Sequence, residues 1–318
     1  MLPTNVRPAL KPTDSEAKRG KVRLSRAGAH WFNRDTGLNI LLDGIAIPAE
    51  RWSRAPRYVS IALTNACELR CRFCYAPKVP GRLDANLVLS WLYELDATGC
   101  LGVGFGGGEP TAHPQFLSIC AAAAERTNLA VTMTTHGHRI DAKLAAAMQG
   151  CVHFIRVSMD GLGATYERVR GRSFVAFQRH LEIVATIAPF GLNVVINHDT
   201  VGELDAIASF ARSAGASELL LLPEQPVRGR PGISKAVLDQ LTEWVSTASP
   251  GVRLAISRAG ATDGMPLADP FGGEPPLEGH AHIDALGILK AHAFASEGVP
   301  VGKSVIEATD QLRAGRIA

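Results

Sequence analysis

The chain has 318 residues, 46% of them hydrophobic and 20% charged, with 33 basic and 30 acidic side chains for a net charge of +3. That is enough apolar material for one large α/β domain with small additions. No apolar run approaches the roughly 20 residues a membrane-spanning helix needs, and the first residues lack the basic start and apolar core of a secretory signal. No membrane partner is expected, and the expected location is cytoplasmic.

Residues 1–30 hold seven basic groups and only Asp14 and Glu16 as acids. No basic patch with interleaved aromatics follows, so nucleic-acid binding is not expected. Residues 1–20, with three prolines and little pattern, read as a loose basic tail. A strand–turn–strand hairpin is predicted across residues 30–42, turning at 33–37, with a Pro-containing linker from Ile47 to Pro56. From Tyr58 onward strand and helix signals alternate. Strands are predicted at 58–63, 101–105, 129–134, 152–158, 192–197 and 218–222. Between them fall a helix capped by Asp84, helices over 114–126 and 141–149, one capped by Ser173, and one over 203–213.

Six βα units in a row imply a parallel sheet curved into a partial (βα)6 TIM-like barrel, with its active site at the C-terminal strand ends. Beyond Pro223 the pattern changes to a Gly/Pro/Arg loop over 226–233. A helix of about 15 residues follows, with Val237, Leu241 and Trp244 inward, and then a strand at 252–257. The segment 259–279 reads as a long loop, 282–290 as a hairpin turning at 285–287, and the chain ends in a helix capped by Ser304. The organisation expected is a tail plus hairpin over 1–56, the barrel over 57–225, and a small α+β extension over 226–318.

Three of the six cysteines, Cys67, Cys71 and Cys74, fall within eight residues after the first barrel strand. In a reducing compartment such a group points to metal. Iron–sulfur cubanes usually take four cysteines, so three leave one iron open. Structural zinc is the competing reading; it needs a fourth ligand and usually C-x2-C pairs, and a remote His could serve. Arg70 and Arg72 in the loop favour thiolates. Cys100, Cys120 and Cys151 lie among apolar residues and read as small core side chains.

Gly102-Val-Gly104-Phe-Gly106-Gly107 satisfies the dinucleotide fingerprint, but Glu109 and Pro110 follow where a helix should start. A carboxylate there suits an ammonium group instead. Ser158 and Asp160 alternate at a strand end, so both point one way, as a ribose diol would require; an ordinary Asp-Gly turn reads the same. His136 and His138 end another strand, either facing the cavity as proton carriers or lying in water. His280, His282 and His292 read as exposed hairpin residues.

Taken together, Cys67-x3-Cys71-x2-Cys74 with Phe73 before the last cysteine, Gly107-Gly108-Glu109-Pro110 and Val157-Ser158-Met159-Asp160-Gly161 resemble radical S-adenosylmethionine (SAM) enzymes. The resemblance covers residues 57–223. It implies that Cys67, Cys71 and Cys74 hold a 4Fe-4S cluster whose open iron takes the amino and carboxylate groups of SAM. Gly107, Gly108 and Glu109 would receive the methionine ammonium, and Ser158 and Asp160 the ribose, with Asn197 nearby. Phe73 and Leu222 would pack on adenine, and Arg170 is a candidate for the SAM carboxylate or ribose.

One electron from a flavodoxin- or ferredoxin-type donor would then cleave SAM to a 5′-deoxyadenosyl radical that takes hydrogen from a peptide or small-molecule substrate. The C-terminal region is similar to the SPASM or twitch extension of peptide-maturing members, with hairpin 281–290 and Val299-Pro-Val-Gly302 in place. No cysteine follows Cys151, so the resemblance implies a single cluster. Other readings are a cluster- and SAM-binding regulatory protein without turnover, and a zinc-stabilised structural protein.

Overall fold

The computed structural model describes residues 20–268, 271 and 274–315. The predicted tail over 1–19 lies outside them. Three antiparallel strands come first, β1 (Gly20–Ser25), β2 (Gly28–Asn33) and β3 (Asn39–Leu42). The hairpin over 30–42 is therefore two strands of three. β1 escaped prediction because Lys21 and Arg23 interrupt its apolar pattern. Arg23 is nonetheless buried, donating to the carbonyls of Ala55 at 2.6 Å, Glu278 at 3.2 Å and Gly99 at 3.3 Å. Arg34 donates to the carbonyl of Thr127 at 2.6 Å. Gly99 and Thr127 precede barrel strands, so this small sheet caps the N-terminal ends of the barrel and leaves the opposite rim free.

The barrel begins with β4 (Tyr58–Thr64) and α1 (Ala85–Ala97), whose first turn donates Leu87 N–H to the Asp84 carboxylate at 3.0 Å. Then come β5 (Gly102–Gly107), α2 (Phe116–Arg126), β6 (Ala130–Thr135), α3 (Ala142–Met148) and β7 (Phe154–Ser158). A short helix that the sequence reading missed, α4 (Gly163–Arg170), precedes α5 (Phe174–Val184). It is largely polar and only eight residues long, which hides its periodicity. β8 (Phe190–Ile196), α6 (Leu204–Ser213) and β9 (Glu218–Pro223) complete six parallel units.

The chain then continues through α7 (Lys235–Thr247), β10 (Arg253–Ile256), β11 (His280–Ile283), β12 (Ile288–Lys290), β13 (Val299–Pro300) and α8 (Val305–Ala314). All ten later strands form one sheet in the order β10-β9-β8-β7-β6-β5-β4-β11-β12-β13. β10 joins β9 in parallel and β11 joins β4 in parallel, so eight parallel strands share the curve. The strands expected in a separate extension thus widen the barrel sheet at both edges, and the sheet stays open. α8 docks on α1, where Glu94 accepts Val305 N–H at 2.6 Å and Trp91 Nε1 donates to the Gly302 carbonyl at 3.1 Å. Among the described residues no helix is long and apolar enough to cross a membrane.

Candidate active site

The cysteine loop leaves β4 and is pinned at once to the end of β5. Gly108 N–H donates to the Thr64 carbonyl at 2.7 Å and Glu109 N–H to the Ala66 carbonyl at 2.8 Å. This approach is open only to glycine. A Cβ on Gly108 would lie 2.3 Å from Ala66 O, and Gly107 has φ +109°, with its Cβ position 2.4 Å from Thr64 O. Gly107 and Gly108 therefore serve the chain's own loop, while Gly106, where a Cβ would meet nothing within 4 Å, borders open space.

Cys67, Cys71 and Cys74 line one wall of a cavity of about 350 Å³ at the C-terminal rim. Their sulfurs accept from Leu69 N–H at 3.4 Å (Cys67), from Arg170 Nη1 at 3.5 Å (Cys71) and from Lys78 Nζ at 3.9 Å (Cys74). Burial pushes the Cys67 and Cys71 thiols up, and Arg170 pulls Cys71 back toward the thiolate. These contacts come from Arg170 and Lys78; Arg70 and Arg72, expected to play this part, are exposed. Cys100 and Cys120 are buried in the core, as expected.

Glu109 is turned away from this space. Fully buried, its carboxylate accepts Thr111 Oγ1 at 2.6 Å, Thr135 Oγ1 at 2.8 Å, His136 N–H at 3.1 Å and Thr111 N–H at 3.2 Å. It is absent from the cavity wall, where Gly106 and Gly107 stand instead. His136 does reach the cavity. Its Nε2 lies 3.2 Å from Glu109 Oε2 and 3.3 Å from Glu68 Oε1, without the alignment of a hydrogen bond. His136, Glu68 and Cys67 also bring their ligand atoms within 4.8 Å of one another, the approach a zinc reading would need. That set omits Cys71 and Cys74. His138 points the other way. It hydrogen-bonds the Tyr166 hydroxyl at 2.7 Å beneath α4, and burial holds it down at about 4.

Ser158 and Asp160 both border the cavity. Asp160 is fully buried, accepting Val195 N–H at 2.7 Å through Oδ1 and pairing with Arg170 Nη2 at 2.5 Å through Oδ2. Burial pushes its carboxyl up, and Arg170 opposes that shift. The Arg170 guanidinium also lies 5.7 Å from the Phe73 ring centroid. Phe73, Arg170 and Leu222 line the cavity. Asn197 does not. Its Nδ2 donates to Glu224 at 2.7 Å, just beyond the end of β8, and Asn193 and Val195 face the space instead.

Sequence reasoning missed Tyr75, Asn193, Glu224 and His282, all on the cavity wall. Asn193 carried a signal, as a lone amide inside the apolar run of β8. His282, expected to be exposed, is buried, because β11 pairs with β4 and sets it beside Ser60. Its Nδ1 is 2.8 Å from Ser60 Oγ, and its ring meets Tyr75 edge-on at 6.0 Å. Burial lowers His282 to about 3 and pushes the Tyr75 phenol up to about 12.

Three thiols above a cavity of cofactor size, at the C-terminal rim of an open parallel barrel, define a protein that sets a thiolate-held metal centre against a small-molecule pocket. The family model of the radical SAM superfamily matches residues 61–211, and the chain belongs to that superfamily. Mycofactocin maturase MftC of Mycobacterium ulcerans is 34% identical over 172 residues, which are 51% of this chain and 46% of that protein. PqqA peptide cyclase of Methylorubrum populi is 29% identical over 173 residues, 52% of this chain and 45% of that one. The matched stretch thus spans under half the length of these curated relatives. The crystal structure of Streptococcus suis SuiB bound to precursor peptide SuiA matches at a TM-score of 0.72, covering 94% of this chain and 89% of that chain. At 14% identity this is a likeness of fold.

Radical SAM proteins use a 4Fe-4S cluster and SAM, and the residues here fit both. The thiols share one wall with two cations against their sulfurs. Buried Arg170 Nε and His136 Nε2 lack hydrogen-bond partners beside the same space.

Proposed function

We propose that this chain is a radical SAM enzyme acting on a peptide, as in the maturation of a ribosomally made precursor. Support comes from the three cysteines sharing one cavity with Ser158 and Asn193, all inside the stretch matched by the superfamily, and with Leu222 beyond it. Mycofactocin maturase and PqqA peptide cyclase, by their names, incline the substrate toward peptides. Cys67, Cys71 and Cys74 would hold the cluster, the Gly106–Gly107 backbone and Ser158 the polar ends of SAM, and Phe73 and Leu222 its adenine. When bound, cluster and SAM supply a one-electron cleavage whose radical product removes a hydrogen atom from the substrate.

This chain's residues do the rest. Arg170 and Lys78 hold positive charge against two sulfurs, Asp160 fixes Arg170, and the apolar wall keeps bulk water from a reactive species. We read strands β11 and β12 as a cysteine-free counterpart of the SPASM or twitch hairpin, and the electron donor as a flavodoxin- or ferredoxin-type carrier.

The test is anaerobic reconstitution with iron and sulfide, followed by SAM and a strong reductant. The expected product is 5′-deoxyadenosine, absent from C71A. Short peptides encoded beside the gene should then change mass in the presence of the wild-type protein. Cleavage of SAM by C71A would refute the proposal.

A further inference from the structure

The cysteine loop has two faces. Inside it lies the cavity just described. Outside it lies an open groove of about 1370 Å³, and Cys67 and Cys71 belong to the walls of both. The groove is strongly basic. Arg70, Arg72, Lys78, Arg82 and Arg228 are all exposed on its wall, and Asp84, the carboxylate among its lining residues, is engaged as the cap of α1. On the same wall Val79 and Leu286 stand 52% and 57% exposed.

An apolar patch ringed by charge of one sign is the form of a protein-docking surface. The sign selects an acidic partner, because a cleft lined by one charge concentrates and steers the opposite one. Position selects what the partner delivers. A substrate must present its hydrogen to the inner cavity, and the loop stands between that space and the groove. An electron needs no such access, and Cys67 and Cys71 are the shared wall.

We infer that the groove is the docking surface for a small acidic electron-carrier protein, which passes one electron through the Cys67–Cys71 wall to the cluster. The inference rests on the proposed function. The carrier loses one electron, the cluster gains it, and no atom is transferred. Redox encounters of this kind are small and short-lived, as an open groove suits.

The test compares wild-type and R72E/R82E full-length chains, both anaerobically reconstituted. Cluster bleaching is followed by stopped flow with two reductants, a reduced flavodoxin and the small cation reduced methyl viologen. At low salt the flavodoxin rate should fall about tenfold or more in the variant, and added salt should slow the wild type toward the variant. The viologen rate should not fall. Equal flavodoxin rates for the two proteins would overturn the docking surface while leaving the proposed function standing. Normal flavodoxin reduction with loss of peptide modification would overturn it too, and would assign the groove to the substrate. A wild type with no viologen-reducible cluster would overturn both.

Discussion

Arg170 Nη2 lies 2.5 Å from Asp160 Oδ2, an ion pair at the end of α4 whose carboxylate is fully buried. The other arm of the same guanidinium donates to Cys71 Sγ at 3.5 Å, so one guanidinium joins Asp160 to the cysteine site. Removing one member leaves a buried charge uncompensated, at a cost of about 3–5 kcal/mol. R170Q should therefore lower the urea midpoint sharply, even in the metal-free protein, and should also reduce iron uptake. D160N should lose stability as well, and R170Q/D160N should lose less than the two singles summed. Additive losses in equilibrium unfolding would show that the pair is not coupled.

Gly106 and Gly108, two residues apart at the end of β5, have different roles. G108A forces a Cβ to within 2.3 Å of Ala66 O, displacing the segment that leads into Cys67. Iron content after reconstitution should drop severalfold. G106A meets no atom within 4 Å and should bind iron normally, while its methyl group narrows the cavity and weakens SAM. Iron assays and SAM titration check both. Equal iron loss in the two variants would refute the division.

Much of this was legible in the sequence because the signals are local. Asp84, Asp141, Ser173 and Ser304 each cap a helix, as a short polar residue before an apolar period predicts. The cysteine spacing likewise needs no distant partner to be read. The misses depend on contacts far along the chain. Nothing near His282 announces that β11 will lie beside β4, which is what buries it. The burial of Glu109 was equally hidden, because three of its internal donors come from Thr135 and His136 at the end of the next strand and from the Thr111 hydroxyl. Asn197 fits the alternation of β8 but sits just past its end, where the chain turns toward Glu224.

Glu109 consequently carries a prediction opposite to its expected role. E109Q places an amide N–H₂ among N–H and O–H donors, at a cost of about 1–3 kcal/mol. The melting temperature should fall, and SAM affinity measured well below it should stay within a few-fold of wild type. A selective loss of SAM affinity with unchanged melting would return Glu109 to the ligand.

Acid sensitivity follows from His282. Burial lowers its pKa from 6.5 to about 3 in the folded chain, so the unfolded chain binds the proton more tightly. Its contribution is fully present above about pH 6.5 and is lost as pH falls toward 3, amounting to about 3 kcal/mol by pH 4. His138, lowered to about 4, acts in the same direction. H282Q retains a hydrogen-bonding group beside Ser60 without a titrating ring, so its stability should fall less steeply between pH 6.5 and pH 4. Urea unfolding of both proteins across that range measures the difference in slope, and parallel curves would place the acid-labile group elsewhere.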